Sequence, residues 1–439
     1  SGAGFDPGGG DLTLDAASFT TLAGNLTSIR IGADDVIIAG LSLDGATYGI
    51  QGTGANLLVT NVDASANNGG GTGFSLNGTN VSIVDCVASR RSLGLGVATL
   101  GGLVVDGFTS TGSAGGMEIS GSDLTLSPAT VLDDIDLREN VGGFRVSSSN
   151  GPFTIDGGSF VLPLDGRRDN LTDISTVVGA RDITFTNLYL GGHTFGFSIG
   201  SGPNIDLVGV TAISDAEGGV GIITPQTTTA DIDITSATLS GFAYGLQNGF
   251  ATDTTLTNIT VDGATVIGLN LPMTGSAFQA SGLVARNCAT GLYTDNVNNT
   301  AFTFAGTGTP APGLALITTF SGNETDLWYR NTSNITTRDL AFSGSVNGIQ
   351  TSSVGSLVVR DVTYLGRAPT GTGFNLSGTN ALVERLTATQ ANLGLQVNNT
   401  TGLTLDRATV TRGATCGIQI ANSSSTLAAP VVLSNLSIS

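Results

Sequence analysis

A chain of 439 residues carries 34 acidic and 16 basic side chains, for a formal net charge of −18, and every basic residue is arginine. Such an anion is a poor partner for nucleic acid, whose phosphates are met by clustered cations, and for an anionic membrane surface. The sequence holds no apolar run of the ~18 residues that read as a membrane-spanning helix, so no membrane span is expected.

Residues 1–30 are the least periodic and read as an N-terminal cap. Asp15-Ala-Ala-Ser-Phe-Thr-Thr-Leu-Ala23 predicts a short helix with Asp15 at its N-cap. A plug of that kind covers the exposed strand edges at the end of a stacked β structure.

From Ile29 onward apolar clusters restart near Leu57, Val81, Leu103 and Leu124, at intervals of 24, 22 and 21 residues. They restart again near Ile183, Ile205, Ile232, Leu256 and Phe278. Leu57-Leu-Val-Thr-Asn-Val62 and Ile232-Asp-Ile-Thr235 alternate apolar and polar residues, the period of a half-buried strand. Gly/Asn/Ser turns separate such runs, and no segment keeps helical spacing for long. The segments 71–97 and 371–397 align without a gap and share 13 of 27 residues. Outside them, Tyr48-Gly-Ile-Gln51 answers Asn347-Gly-Ile-Gln350, and Gly116-Met-Glu-Ile119 answers Gly417-Ile-Gln-Ile420. A short all-strand repeat is one coil of a solenoid, stacked on its neighbours to bury a shared core.

In period and turn chemistry the chain resembles the right-handed parallel β-helix proteins of the pectate-lyase-like superfamily. The resemblance implies an all-β fold, a single-stranded right-handed parallel β-helix of about 16 coils of 21–27 residues over positions 31–439. It implies little about activity, because the motifs of the superfamily's polysaccharide-cutting enzymes are missing. Polygalacturonase-like hydrolases carry an Asp-Asp pair, a Gly-His-Gly and an Arg-x-Lys. Here the Asp-Asp pairs are Asp34-Asp35 and Asp133-Asp134, the sole histidine, His193, lies in Gly-Gly-His-Thr, and there is no lysine. The Trp-Ile-Asp-His-like and Arg-Pro-x-x-Arg-like runs of pectate lyases are absent as well.

Two segments break the period. Positions 131–182 hold 14 charged residues in 52, against 36 in the other 387, and read as an irregular charged insertion of the kind that forms a binding face. An inverting glycosidase needs two carboxyl groups about 6.5–9.5 Å apart, and for such chemistry Asp133, Asp134, Asp136, Asp165 and Asp169 are the candidates. Positions 301–330 are irregular too, with Pro310-Ala-Pro312 and the only tryptophan, in Leu327-Trp-Tyr-Arg330. Exposed Trp and Tyr on a repeat scaffold either stack on sugars or cover apolar surface.

Cys86, Cys288 and Cys416 fall in different coils and lack Cys-x-x-Cys spacing, so neither a disulfide nor a metal site is expected, and no cofactor. Asn-X-Ser/Thr sequons stand at Asn25, Asn77, Asn80, Asn170, Asn258, Asn298, Asn323, Asn331, Asn334, Asn375, Asn398, Asn399, Asn422 and Asn435. They mark either glycosylation of an exported surface or the turn chemistry of a β-helix. The run Val431–Ser439 reads as a strand with nothing after it to cap the last coil, and an open coil implies a covering partner.

Three functions fit. The first is an extracellular or cell-surface structural protein, a self-assembling subunit of a surface layer, sheath, filament or appendage joined end to end through the open coil. The second is an adhesin or passenger domain that binds glycans or surfaces. The third is a polysaccharide lyase or hydrolase, or a phage tailspike. Missing catalytic motifs place the first ahead.

Overall fold

A computed structural model describes residues 3–5, 13–14, 26–43, 46–67, 70–123, 131–147, 150–156, 159–161, 172–176, 181–192, 194–200, 202, 204–214, 218–224, 231–249, 253–271, 278–295, 302–309, 312–367, 371–411, 415–421 and 432–439. Among the described residues there is no helix. The strands stack in parallel, coil upon coil, as in the β-helix that the sequence predicts. The backbone divides into two compact units, Ser1–Ala216 and Glu217–Ser439.

In the first unit the front sheet includes Thr27–Ile31, the start of Tyr48–Thr60 and of Thr72–Val84, Leu93–Thr99, Gly115–Ser120, Gly142–Ser147, Thr172–Thr176 and Phe195–Ser198. Its inward positions form one register column: Ile29, Ile50, Phe74, Leu95, Met117, Phe144, Ile174 and Phe197. All eight are essentially buried. Alternation thus places one apolar side chain per coil against the next, which is how so narrow a core closes. At the corner between the first two sheets Gly78 has φ +149°, and a Cβ there would lie 1.8 Å from the Gly54 carbonyl oxygen. Only glycine fits.

The second unit repeats the plan. Its inward column runs Ile222, Leu246, Leu269, Leu292, Leu327, Ile349, Phe374, Leu395 and Ile418. One residue before each of these lies a glycine where coils approach closely. At Gly245 a Cβ would sit 2.3 Å from Val261 Cγ1 and 2.7 Å from the Gly268 oxygen. The glycine column is broken once, by Asp326.

Several details differ from the sequence expectations. Ala3–Phe5 and Thr13–Leu14 already join the stacks, by pairing with Thr27–Ile31 and Ile37–Ala39. The helix expected over 15–23 lies outside the described residues. In the charged stretch 131–182 the described strands keep coil register, with Val131 between Val104 and Thr154, and Phe144 between Met117 and Ile174. The charged residues described there are carried on coils, because outward strand positions and turns accept charged side chains without disturbing the buried column. The irregularity of 301–330 is one extra strand, Phe302–Ala305, paired with both Leu314–Ser321 and Ile335–Ser345. At the C-terminal coil Val432, Leu433, Leu436 and Ile438 are exposed.

Candidate functional site

Corners come first, since they absorb most of the polar residues. Asn56, Asn80, Asn258, Asn331, Asn334, Asn399 and Asn435 take positive φ, between 48° and 57°, the left-handed region that Asn tolerates. Some of their amides bond between coils: Asn80 Nδ2 donates to Asn56 Oδ1 at 2.9 Å, and Asn56 Nδ2 to Asp35 Oδ1 at 2.7 Å. The sequon residues Asn80, Asn258, Asn331, Asn334, Asn399 and Asn435 thus stand at turns. Asn323 is buried, with its carbonyl accepting from the Cys288 N–H at 2.8 Å. Asn77, Asn375 and Asn398 lie on strands, and Asn25, Asn170, Asn298 and Asn422 lie outside the described residues.

Of the candidate acids, Asp133 stacks in register between Asp106 and Asp156, and its carboxylate accepts from the Asp134 N–H at 2.9 Å. Asp136 belongs to the third side of the coil, bridged to Thr109, and its carboxylate is engaged by Arg138 at 2.6–2.8 Å. Asp165, Asp169 and His193 lie outside the described residues. Cys86 and Cys288 are buried, and burial pushes both thiols up to about 11. No cluster of metal-binding side chains occurs among the described residues, and no helix there is long and apolar enough to cross a membrane.

The front sheet of the second unit carries a feature the sequence reading missed. The first coil of this unit contributes Gly221-Ile-Ile223, with Ile223 in register with Gln247, and each later coil contributes a tripeptide: Gly245-Leu-Gln247, Gly268-Leu-Asn270, Gly291-Leu-Tyr293, Asp326-Leu-Trp328, Gly348-Ile-Gln350, Gly373-Phe-Asn375, Gly394-Leu-Gln396 and Gly417-Ile-Gln419. The first residue packs between coils, the second enters the core, and the third points outward. Strand register aligns all eight third residues in one row: Gln247, Asn270, Tyr293, Trp328, Gln350, Asn375, Gln396 and Gln419. Six are amides and two are aromatic. At one strand spacing per step, ~4.8 Å, the row extends about 34 Å.

Its centre is pinned. The Tyr293 and Trp328 rings meet edge to face, with centroids 5.2 Å apart, a favoured aromatic geometry. Tyr293 Oη donates to Asp295 Oδ2 at 2.8 Å, Asn331 Nδ2 donates to Asp295 Oδ1 at 3.0 Å, and Arg330 Nε lies 3.9 Å from Oδ2. Burial, then the hydrogen bond to Asp295, pushes the Tyr293 phenol up, so it stays a donor. The Trp328 N–H is buried without an acceptor, a penalty of about 1–3 kcal/mol for an unmet donor. Among the described residues the side-chain amides of Gln247, Asn270, Gln350 and Asn375 have no hydrogen-bond partner. At the corner that follows these strands a cleft of about 420 Å³ is lined by Ser352, Val354, Ser377, Gly378 and Asn399.

In the first unit the equivalent row reads Arg30, Gln51, Ser75, Gly96, Glu118, Arg145, Ser175 and Ser198. It mixes three charged residues and four small ones with a single amide. Next to it Gly115 and Gly142 leave a cleft of about 440 Å³, with Glu118 and Arg145 at its mouth, 3.9 Å apart.

The fold and these faces define a parallel β-helix protein with an outward amide–aromatic row. No family model and no curated protein matches the chain. Among solved structures it is similar to a catalytic-domain variant of a GH87 alpha-1,3-glucanase in complex with tetrasaccharides, at 12% identity and a TM-score of 0.35. The likeness covers 72% of this chain and 64% of that one.

Proposed function

We propose that the chain is an extracellular glycan-binding protein, the adhesin or passenger-type reading of the sequence, with the front sheet of its second unit as the binding face. One observation carries this reading: the eight-residue row centred on Tyr293 and Trp328. Aromatic rings offer flat apolar surfaces with a polar edge, and sugars present C–H faces to match. An amide carries two donors and an acceptor oxygen, the complement of sugar hydroxyls. Carboxylates do not gather on this row, and the described residues supply no Asp–Glu pair there for cleavage chemistry, so binding is favoured over hydrolysis.

The test is depletion of the purified protein from solution by insoluble polysaccharides, comparing wild type with Trp328→Ala and Tyr293→Ala. Retention lost in both variants, with unchanged circular dichroism, supports the proposal. Equal retention of wild type and variants refutes it.

End-to-end self-association is a second reading, favoured by the exposed Val432, Leu433, Leu436 and Ile438 on the last described coil. Sedimentation of wild type against Leu433→Asp/Ile438→Asp tests it: assembly that survives the double substitution places the joint elsewhere.

A further inference from the structure

The chemistry of the row limits what kind of glycan it takes. The outward residues from Gln247 to Gln419 comprise six amides, one phenol and one indole. None is charged at neutral pH. The parallel row toward the strand starts is also uncharged, with Tyr244, Ile267, Thr290, Thr325, Asn347, Thr372 and Leu393 in register. The charged side chains near the centre, Asp295 and Arg330, face each other, and Asp295 is already occupied by Tyr293 and Asn331. A polyanionic chain would therefore find no free cation on the row. It would also approach a protein of formal net charge −18, and like charge disfavours that encounter.

Geometry sets the orientation. The row crosses the strands, so it runs from coil to coil, and its step of ~4.8 Å is close to the advance of one pyranose ring in an extended chain. The row is straight because one residue per coil is held in register. The four amides without partners among the described residues fall on both sides of the aromatic pair, at Gln247 and Asn270 before it and at Gln350 and Asn375 after it.

Resting on the glycan-binding reading, we infer that the ligand is an uncharged, extended polysaccharide lying along the row with one sugar ring per coil, centred over Tyr293 and Trp328. Affinity then rises with chain length, because each added ring meets one more amide until the row is filled.

Isothermal titration of the whole chain with cello-, laminari- and xylo-oligosaccharides of two to eight residues, against oligogalacturonates of the same lengths, tests this inference. The expected result is binding by at least one neutral series, with hexamer at least tenfold tighter than dimer. Asn270→Leu and Gln350→Leu each weaken hexamer by about fivefold. Binding of oligogalacturonate alone overturns the neutral-ligand inference but leaves the binding face intact. A neutral series whose affinity is independent of length overturns the one-ring-per-coil arrangement. Absence of binding by every oligosaccharide, together with no retention on any insoluble polysaccharide, overturns this inference and the binding face alike.

Discussion

The hydroxyl of Tyr364 donates to the Val346 carbonyl at 2.6 Å and lies 2.8 Å from that of Ser345. In the earlier of the two related segments the matching carbonyls belong to Ala46 and Thr47, and both accept from Arg91 Nη1, the Thr47 contact at 3.2 Å. Arg91 is buried and reaches the Ala64 and Ser65 carbonyls as well. The large side chain has changed place: Tyr364 corresponds to Ala64, and Arg91 corresponds to Ala391. Two different residues from two different coils close the same turn, each next to an alanine that makes room.

That exchange predicts a rescue. Arg91→Ala leaves several buried carbonyls without a donor, at about 1–3 kcal/mol each, and is expected to destabilise the first unit by more than ~3 kcal/mol. Ala64→Tyr/Arg91→Ala should recover part of the loss. Hydrogen exchange at residues 46–76 is the readout, since stacked coils can open locally. Protection in the double variant no better than in Arg91→Ala would contradict the exchange.

Asp326 predicts a pH dependence. Its carboxyl is buried in place of a column glycine; Oδ1 accepts from Asn323 Nδ2 at 2.9 Å and Ser345 Oγ at 2.7 Å, and Oδ2 has no partner. Burial raises its pKa from 3.8 to about 7. The folded state therefore holds this proton more tightly than the unfolded chain, so its stabilising contribution is complete below pH ~4 and lost as pH rises through ~7. At ~1.36 kcal/mol per tenfold change in proton affinity the effect is on the order of 4 kcal/mol. Asp326→Asn should be more stable than wild type at pH 8 and should flatten the decline between pH 4 and 8. Denaturation midpoints that fall in parallel for both proteins would exclude Asp326 as the source.

The cysteines predict an order of labelling. Cys86 and Cys288 are buried with thiols held protonated, whereas Cys416 lies half-exposed on the last described front strand. At pH 8 an uncharged maleimide should modify Cys416 first, and the other two only on unfolding. Peptide mapping that finds Cys86 or Cys288 labelled in the native protein would show that the coils open.

Close approach between coils predicts intolerance at the column glycines. Gly245→Ala puts a methyl 2.3 Å from Val261 Cγ1 and 2.7 Å from the Gly268 oxygen. Overpacking of this kind costs about 1–3 kcal/mol. Gly263→Ala meets nothing within 4 Å but sits at φ +71°, so backbone strain alone sets its penalty, of about 1–2 kcal/mol. Thermal melts of the two variants separate crowding from strain.

Much of the architecture was legible in the sequence because strands announce themselves by alternation: Ile232-Asp-Ile-Thr235 is a strand with Ile232 and Ile234 buried. Register was not legible. Gln247, Asn270, Tyr293, Trp328, Gln350 and Asn375 recur at intervals of 22 to 35 residues, too uneven for a fixed period to align them. The extra strand Phe302–Ala305 causes the longest gap. The Gly–apolar–amide tripeptide was the usable signal, and its glycine, fixed by coil contact, numbers the coils. Arg91 was hidden for another reason: an arginine beside Arg90 and Ser92 reads as surface, and only the turn carbonyls of preceding coils show why it is inside.

Trp328 is the only tryptophan in the chain, and it stands at the middle of the row. Indole emission from the native protein therefore comes from a single place, against the Tyr293 ring, whose distance of 5.2 Å also makes the phenol a ready energy donor. Any ligand that settles over the centre of the row must alter the polarity around that one fluorophore. The molecule is thus built with its own optical gauge of occupancy, readable without a label.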